Sequence, residues 1–280
     1  MRKLLSANFR RLFCSKIYWL CAIFMTGFAA FSVCSRYFQT IKYEDYPYPT
    51  ADALWFIGGM YISVVIAVFV SLWIGTDYSD GTFRNKIMVG HTRSELYFSN
   101  LIVCSVGALI IHIAYMLVIA GMACLLLKPF ETPFSVLCVM SLVSVLSLIA
   151  LTSIFVLIAM LIHTKSIGAV VSLIVAMVLI IASMTICNML DAPEYIDPFG
   201  GMTINGELVQ MEPQPNPRYL DGIKREIYQH TLNLIPTGQM IQYGELAYPE
   251  DLACFPLYSL AIILLSTGMG VAIFKKKDLK

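Results

Sequence analysis

At 280 residues, 58% hydrophobic and 13% charged, with a mean hydropathy of +0.75, the chain is too apolar for a soluble globular domain of its length. A formal net charge of +1 offers no bulk basicity for a nucleic-acid partner, and none is expected. The class that remains is an all-α polytopic membrane protein.

A helix needs about 20 apolar residues to cross a hydrocarbon core of about 30 Å. Six uncharged runs of that order occur, at about 17–35, 54–74, 98–127, 134–162, 166–190 and 255–274. The third and fourth exceed one span, which predicts tilt or emergence from the bilayer. Thirteen of the 19 Lys and Arg fall in the N-terminal tail, segment 75–97, Lys165 and the C-terminal end, against four of the 18 acids. That bias puts those segments, and both termini, in the cytosol of a plasma-membrane protein.

In chain order, residues 1–16 place Leu5, Phe9, Leu12 and Phe13 on one helical stripe, with Arg2, Lys3, Arg10 and Arg11 elsewhere. This predicts an amphipathic helix in the cytosolic interface, its cations near lipid headgroups. Tyr43, Tyr46 and Tyr48 follow the first span as interfacial anchors. Gly58, Gly59, Ser63 and Ser71 in the second span allow close helix approach, either within one bundle or to a second subunit.

Segment 75–97 reads GTDYSDGTFRNKIMVGHTRSELY. Gly81 permits a turn, Thr82 is placed to cap a short helix over Arg84 to Val89, and Gly90 is placed to end it. Thr92 to Glu95 is a capping-box pattern that starts the next helix. The run Asp77, Tyr78, Ser79, Asp80, Gly81, Thr82, Phe83, Arg84, with Arg93 following, resembles the first cytosolic loop of class-two ABC exporter permeases, where Glu-Tyr-x-x-Gly-Thr-Leu-Arg is usual. Asp replaces Glu and Phe replaces Leu here. The layout is similar too, with a basic amphipathic start, six spans, a large outer loop before the last span and a Phe-Lys-Lys-Lys-Asp-Leu ending at Phe274 to Leu279. The resemblance implies an exporter subunit that pairs with a second permease and docks on a cytosolic ABC ATPase. It makes Asp77, Tyr78, Gly81, Thr82, Arg84, Lys86, Arg93 and Glu95 the coupling residues, and the His163 to Ser166 turn, with His163 and Lys165, a second contact. The sequence holds no GxxxxGK[ST] loop, so no cofactor is expected in this chain and ATP and Mg would be bound by the partner.

His112 is the one histidine well inside an apolar run and a candidate polar residue of the translocation path. Residues 191–254 form an extracytoplasmic loop with ten acids and three bases. Tyr219, Ile223, Ile227, His230 and Leu234 recur at helical spacing in it, and Pro236 to Gln239 is read as a break before a second short helix. The eight cysteines show no disulfide framework, and there is no CxxC or HExxH metal spacing; only Cys187 and Cys254, at the loop's two ends, are placed to pair. Two other readings stand beside transport. A sensor or scaffold with an acidic ligand-binding outer loop leaves segment 75–97 without a role. An intramembrane enzyme has too few polar groups in His112 and Asn188.

Overall fold

The structure, a computed structural model, describes residues 1–43, 50–128, 130–196, 202–204, 207–209, 213–244 and 252–277, without the side chains of 53, 202–204 and 207–209. The chain is a helical multi-pass membrane protein: six of its described helices are long and apolar enough to cross a bilayer. These are α2 (Lys16–Lys42), α4 (Gly58–Ser79), α6 (Arg93–Leu126), α7 (Phe134–Leu161), α8 (Lys165–Leu190) and α11 (Phe255–Lys276). Shorter helices are α1 (Arg2–Phe13), α3 (Asp52–Trp55), α5 (Thr82–Met88), α9 (Gly222–Leu234) and α10 (Pro236–Gly244).

Helix ends run past several apolar runs. The first continues to Lys42, through Arg36 and Gln39, and the second carries Asp77 and Tyr78 inside α4 rather than in a loop. An apolar run marks what can sit in hydrocarbon, whereas the backbone ladder continues wherever nothing interrupts it. α6, at 34 residues, is the longest.

α4 is the most buried of the six and the axis of the bundle. Its Phe69 lies 5.5 Å from the Tyr18 ring of α2 and fills the space left by Gly107 of α6. The small residues of α4 serve this internal packing. Gly58 lies against Tyr115 and Gly59 against Met240, while the buried Ser63 and Ser71 hydroxyls donate to carbonyls of their own helix. Gly75 admits the α8 start, since a Cβ there would lie 2.9 Å from the Lys165 Cα.

α1 packs against α6 with Leu4, Asn8 and Leu12 buried, and Phe13 is 47% exposed. The expected Leu5, Phe9, Leu12, Phe13 stripe is therefore rotated. Asn8 joins the buried face because Ser99 of α6 accepts its amide at 2.8 Å.

In the long loop, β1 (Tyr195–Ile196) pairs antiparallel with β4 (Gln214–Pro215), and β2 (Met202–Ile204) with β3 (Glu207–Val209). α9 forms where periodicity predicts, but with the opposite face inward. Leu232 and Asn233 are buried, while Ile223, Ile227 and Leu234 are exposed. Pro236 to Gln239 is not a break but the first turn of α10, with proline where the helix has no use for an N–H. α10 is almost wholly buried. Its Gln239 amide oxygen accepts from Ser147 of α7 and from Ser259 of α11, the latter at 2.9 Å, and Thr237 meets Ser183 of α8 at 2.8 Å. Ser147 lies about 20 Å along α7 from Phe134 by helical rise, so α10 is set into the bundle like a re-entrant segment, its polar groups satisfied by protein. Cys187 and Cys254 are not bonded to each other, and the Cys187 thiol donates to Asp191 at 3.6 Å. Of the predicted interfacial tyrosines, Tyr46 and Tyr48 lie outside the described residues.

The Gly75 contact yields a test. Gly75→Leu must drive α4 and α8 apart and should cost about 1–3 kcal/mol, read as a lower unfolding midpoint in detergent. Gly121→Ala, where a Cβ meets nothing within 4 Å, should be neutral or slightly stabilising.

Candidate functional site

At one end of the bundle the starts of α2, α6 and α8 meet the ends of α4, α7 and α11, and α5 lies across that meeting point. α4 stops at Asp80, and Gly81, with φ of +64°, turns the chain into α5; a left-handed residue is cheap only for glycine. α5 ends at Val89 in a Schellman motif. The His91 N–H donates to the Lys86 carbonyl at 3.1 Å and that of Gly90 to Ile87 at 2.9 Å, with Gly90 at φ +102°. Thr92 and Glu95 then form the capping box of α6. Thr82 does not cap α5. Gly81 is the N-cap, and the Thr82 hydroxyl instead donates to the Asp77 carboxylate at 2.5 Å.

Asp77 is the centre of the site. It is fully buried and accepts from Thr82, from the Arg11 guanidinium and from the Lys86 ammonium, the last at 3.4 Å. Lys86 also donates to the Asn8 amide oxygen at 3.2 Å. Arg11 donates to the Trp73 carbonyl at 3.3 Å and stacks 3.7 Å from the Trp73 ring centroid, joining charge to cation–π attraction. One carboxylate thus ties α1, α4 and α5 together, and Asn8 extends the network to α6. Burial pulls Lys86 below the usual lysine range; Asp77 opposes that shift, and neighbouring Arg11 adds to it.

A second set of contacts closes the other side. Arg93, at the start of α6, donates to the Phe274, Lys275 and Lys277 carbonyls at the end of α11, where the helix dipole favours a cation. Lys277 turns back and donates to the Tyr78 hydroxyl at 3.0 Å and the Met160 carbonyl at 2.7 Å. Tyr78 itself donates to the Met160 carbonyl at 2.6 Å. Between the two sets sits Phe83, 1% exposed, with its ring 4.7 Å from Tyr78 and 5.8 Å from Phe274.

Of the residues the sequence singled out, Asp77, Tyr78, Gly81, Thr82, Lys86 and Arg93 come together here. Glu95 lies beside them as a helix cap, 3.5 Å from His91. His163 rests its ring 5.2 Å from Tyr78, and Lys165 touches the Gly75 position. Arg84 does not join the cluster. It is exposed on the opposite face of α5, with Asn85, Met88 and Val89, the last two 76% and 81% exposed. His112 is also apart, 19 positions or about 28 Å of helical rise from Arg93. It is buried in the bundle with both ring nitrogens unpartnered among the described residues. Arg11, Asn8 and Lys277 are members that the motif did not indicate, and Phe83 stands in the motif without having been given a role.

Removing one partner of a buried ion pair leaves the other charge uncompensated. Asp77→Asn should therefore cost about 3 kcal/mol, partly recovered when Arg11→Met is added, as a double-mutant cycle would measure. Arg84→Ala should change stability by less than about 0.5 kcal/mol.

Burial lowers Lys277 from the ordinary 10.5 to about 8. The folded state then holds this proton less tightly than the unfolded state, so Lys277 favours folding increasingly as pH rises from about 8 to 10.5 and contributes no slope below that window. Lys277→Met should remove that contribution in a comparison of unfolding midpoints across the window.

Neither a family model nor a curated protein matches this chain.

Proposed function

We propose that the chain is the membrane-spanning permease subunit of an ATP-binding-cassette transporter, working as an exporter in the plasma membrane with both termini cytosolic. It pairs with a second permease, and a separate cytosolic ATPase subunit binds ATP and Mg and hydrolyses the nucleotide. The observation that carries this reading is the two-sidedness of α5. One face is fixed by Asp77 and Phe83 to α1, α4 and α11, while the other presents Arg84, Asn85, Met88 and Val89, exposed among the described residues. A short helix bolted to the ends of several spans transmits a displacement to all of them, because packed interiors shift as units rather than yielding locally. Its outer face, apolar at Met88 and Val89 and cationic at Arg84, has the mixed character of a docking knob. The excess of Lys and Arg over the N-terminal tail, segment 75–97, Lys165 and the C-terminal end, taken together, supports a cytosolic position for that face.

In this mechanism the partner closes on nucleotide and pushes α5. Asp77 carries the push through Arg11 to α1 and along α4, Arg93 carries it to α11, and the Tyr78, Met160 and Lys277 contacts carry it to α7. His163 and Lys165, next to Tyr78 and Gly75, supply a second contact at the α7 to α8 turn.

The test is affinity purification from native membranes followed by ATPase assay of the reconstituted complex. An ABC ATPase should co-purify. Arg84→Glu and Met88→Asp should each weaken its retention about tenfold or more and abolish coupled hydrolysis while the unfolding midpoint stays near wild type. Full function without any nucleotide-hydrolysing partner, or normal coupled turnover in both variants, would overturn the reading.

A further inference from the structure

At the end of the bundle remote from Asp77, a cleft of about 610 Å³ opens between α2 and the α3 to α4 region. Its α2 wall carries Phe28, Ser32, Arg36 and Gln39, and the facing wall includes Leu54 and Tyr61. The Phe28 and Tyr61 rings meet at 4.4 Å and form its inner end. From Lys16 to Arg36 is 20 residues, about 30 Å of helix, which is the thickness of the hydrocarbon core. With Lys16 at one boundary, Arg36 reaches the headgroup level of the other, and Phe28 lies about 12 Å deeper. The cleft therefore joins a cationic, hydrogen-bonding mouth to an aromatic floor at acyl-chain depth. Phe31, 69% exposed, adds an apolar edge to its lining.

We infer that this cleft is a binding site for one anionic phospholipid of the leaflet opposite the Asp77 end. Its phosphate lies at Arg36 and Gln39, and one acyl chain lies along Phe28 and Tyr61. Charge complementarity sets the headgroup, since a guanidinium brings five N–H donors in a planar fork suited to phosphate, enough to serve a lipid beside the contact Arg36 makes within the protein. Depth sets the tail, because a small soluble anion would leave the aromatic floor unfilled. The volume lies in the range of specific small-molecule sites. This inference rests on the six helices spanning a bilayer and is independent of the ATP-driven reading.

The experiment uses the full chain in phosphatidylcholine nanodiscs doped with phosphatidylglycerol carrying a diazirine in its acyl chain, or with matched photoactivatable phosphatidylcholine. Cross-linked peptides are mapped by mass spectrometry. The anionic probe should label residues 28–43 and 54–61 about fivefold more than the zwitterionic one, as one cation at the surface provides. Arg36→Gln should remove that preference but keep the acyl labelling. Ser35→Trp, which fills the cleft, should block both, with unfolding midpoints confirming that the variants fold. Excess inorganic phosphate should not compete. Labelling no stronger here than on the exposed Val170 to Ile181 face of α8, a preference that survives Arg36→Gln, or displacement by inorganic phosphate would each overturn the inference.

Discussion

A single buried carboxylate holds the working end of this molecule together. Asp77 is fully buried and lies between two cations, Arg11 from the first helix and Lys86 from the short crossing helix. An isolated charge there would be prohibitive, and pairs of this kind persist only when the remaining lone pairs and protons are also satisfied. Thr82 and the carbonyl of Trp73 supply those bonds, and Asn8 takes up the far side of Lys86. Geometry and sequence distance therefore work together, since groups from three helices, α1, α4 and α5, must be in place before any of them is comfortable.

The Arg93 clamp is the complementary half. A cation from the start of one span neutralises the carbonyl end of the last, and Lys277 then reaches across to Tyr78 and Met160. With Phe83 wedged between the two sets of bonds, α5 has little freedom to move alone. Under the transporter reading this stiffness is the useful property, because a compliant loop would absorb a push rather than pass it on.

Much of this was legible in the chain. Long apolar runs marked the six spanning helices, and Gly90 with the Thr92 to Glu95 box marked both edges of the interval between α5 and α6, because these signals are local. Arg11 and Lys277 were not legible as partners. Each sits among other cations that fit orientation bias equally well, and each finds its partner 66 or 199 positions away. Arg84 was marked as a coupling residue by the resemblance, and the burial of Phe83 next to it turns its side chain outward. In the long loop, α9 is apolar on two faces, so periodicity found the helix but not its inner side. Pro236 was read as punctuation because proline signals a stop within a helix and a start at its first turn alike.

The Gln239 junction sets an order on biogenesis. Its amide oxygen accepts from a hydroxyl of α7, which precedes it in the chain, and from another of α11, which follows it. Ser153 of α7 likewise waits for Ser266 of α11, 2.7 Å away. Until α11 enters the bundle, the second hydrogen bond to Gln239, the bond between Ser153 and Ser266 and the carbonyls that Arg93 clamps are all missing. The polar contacts of α6, α7 and α10 are thus completed only when α11 packs against them.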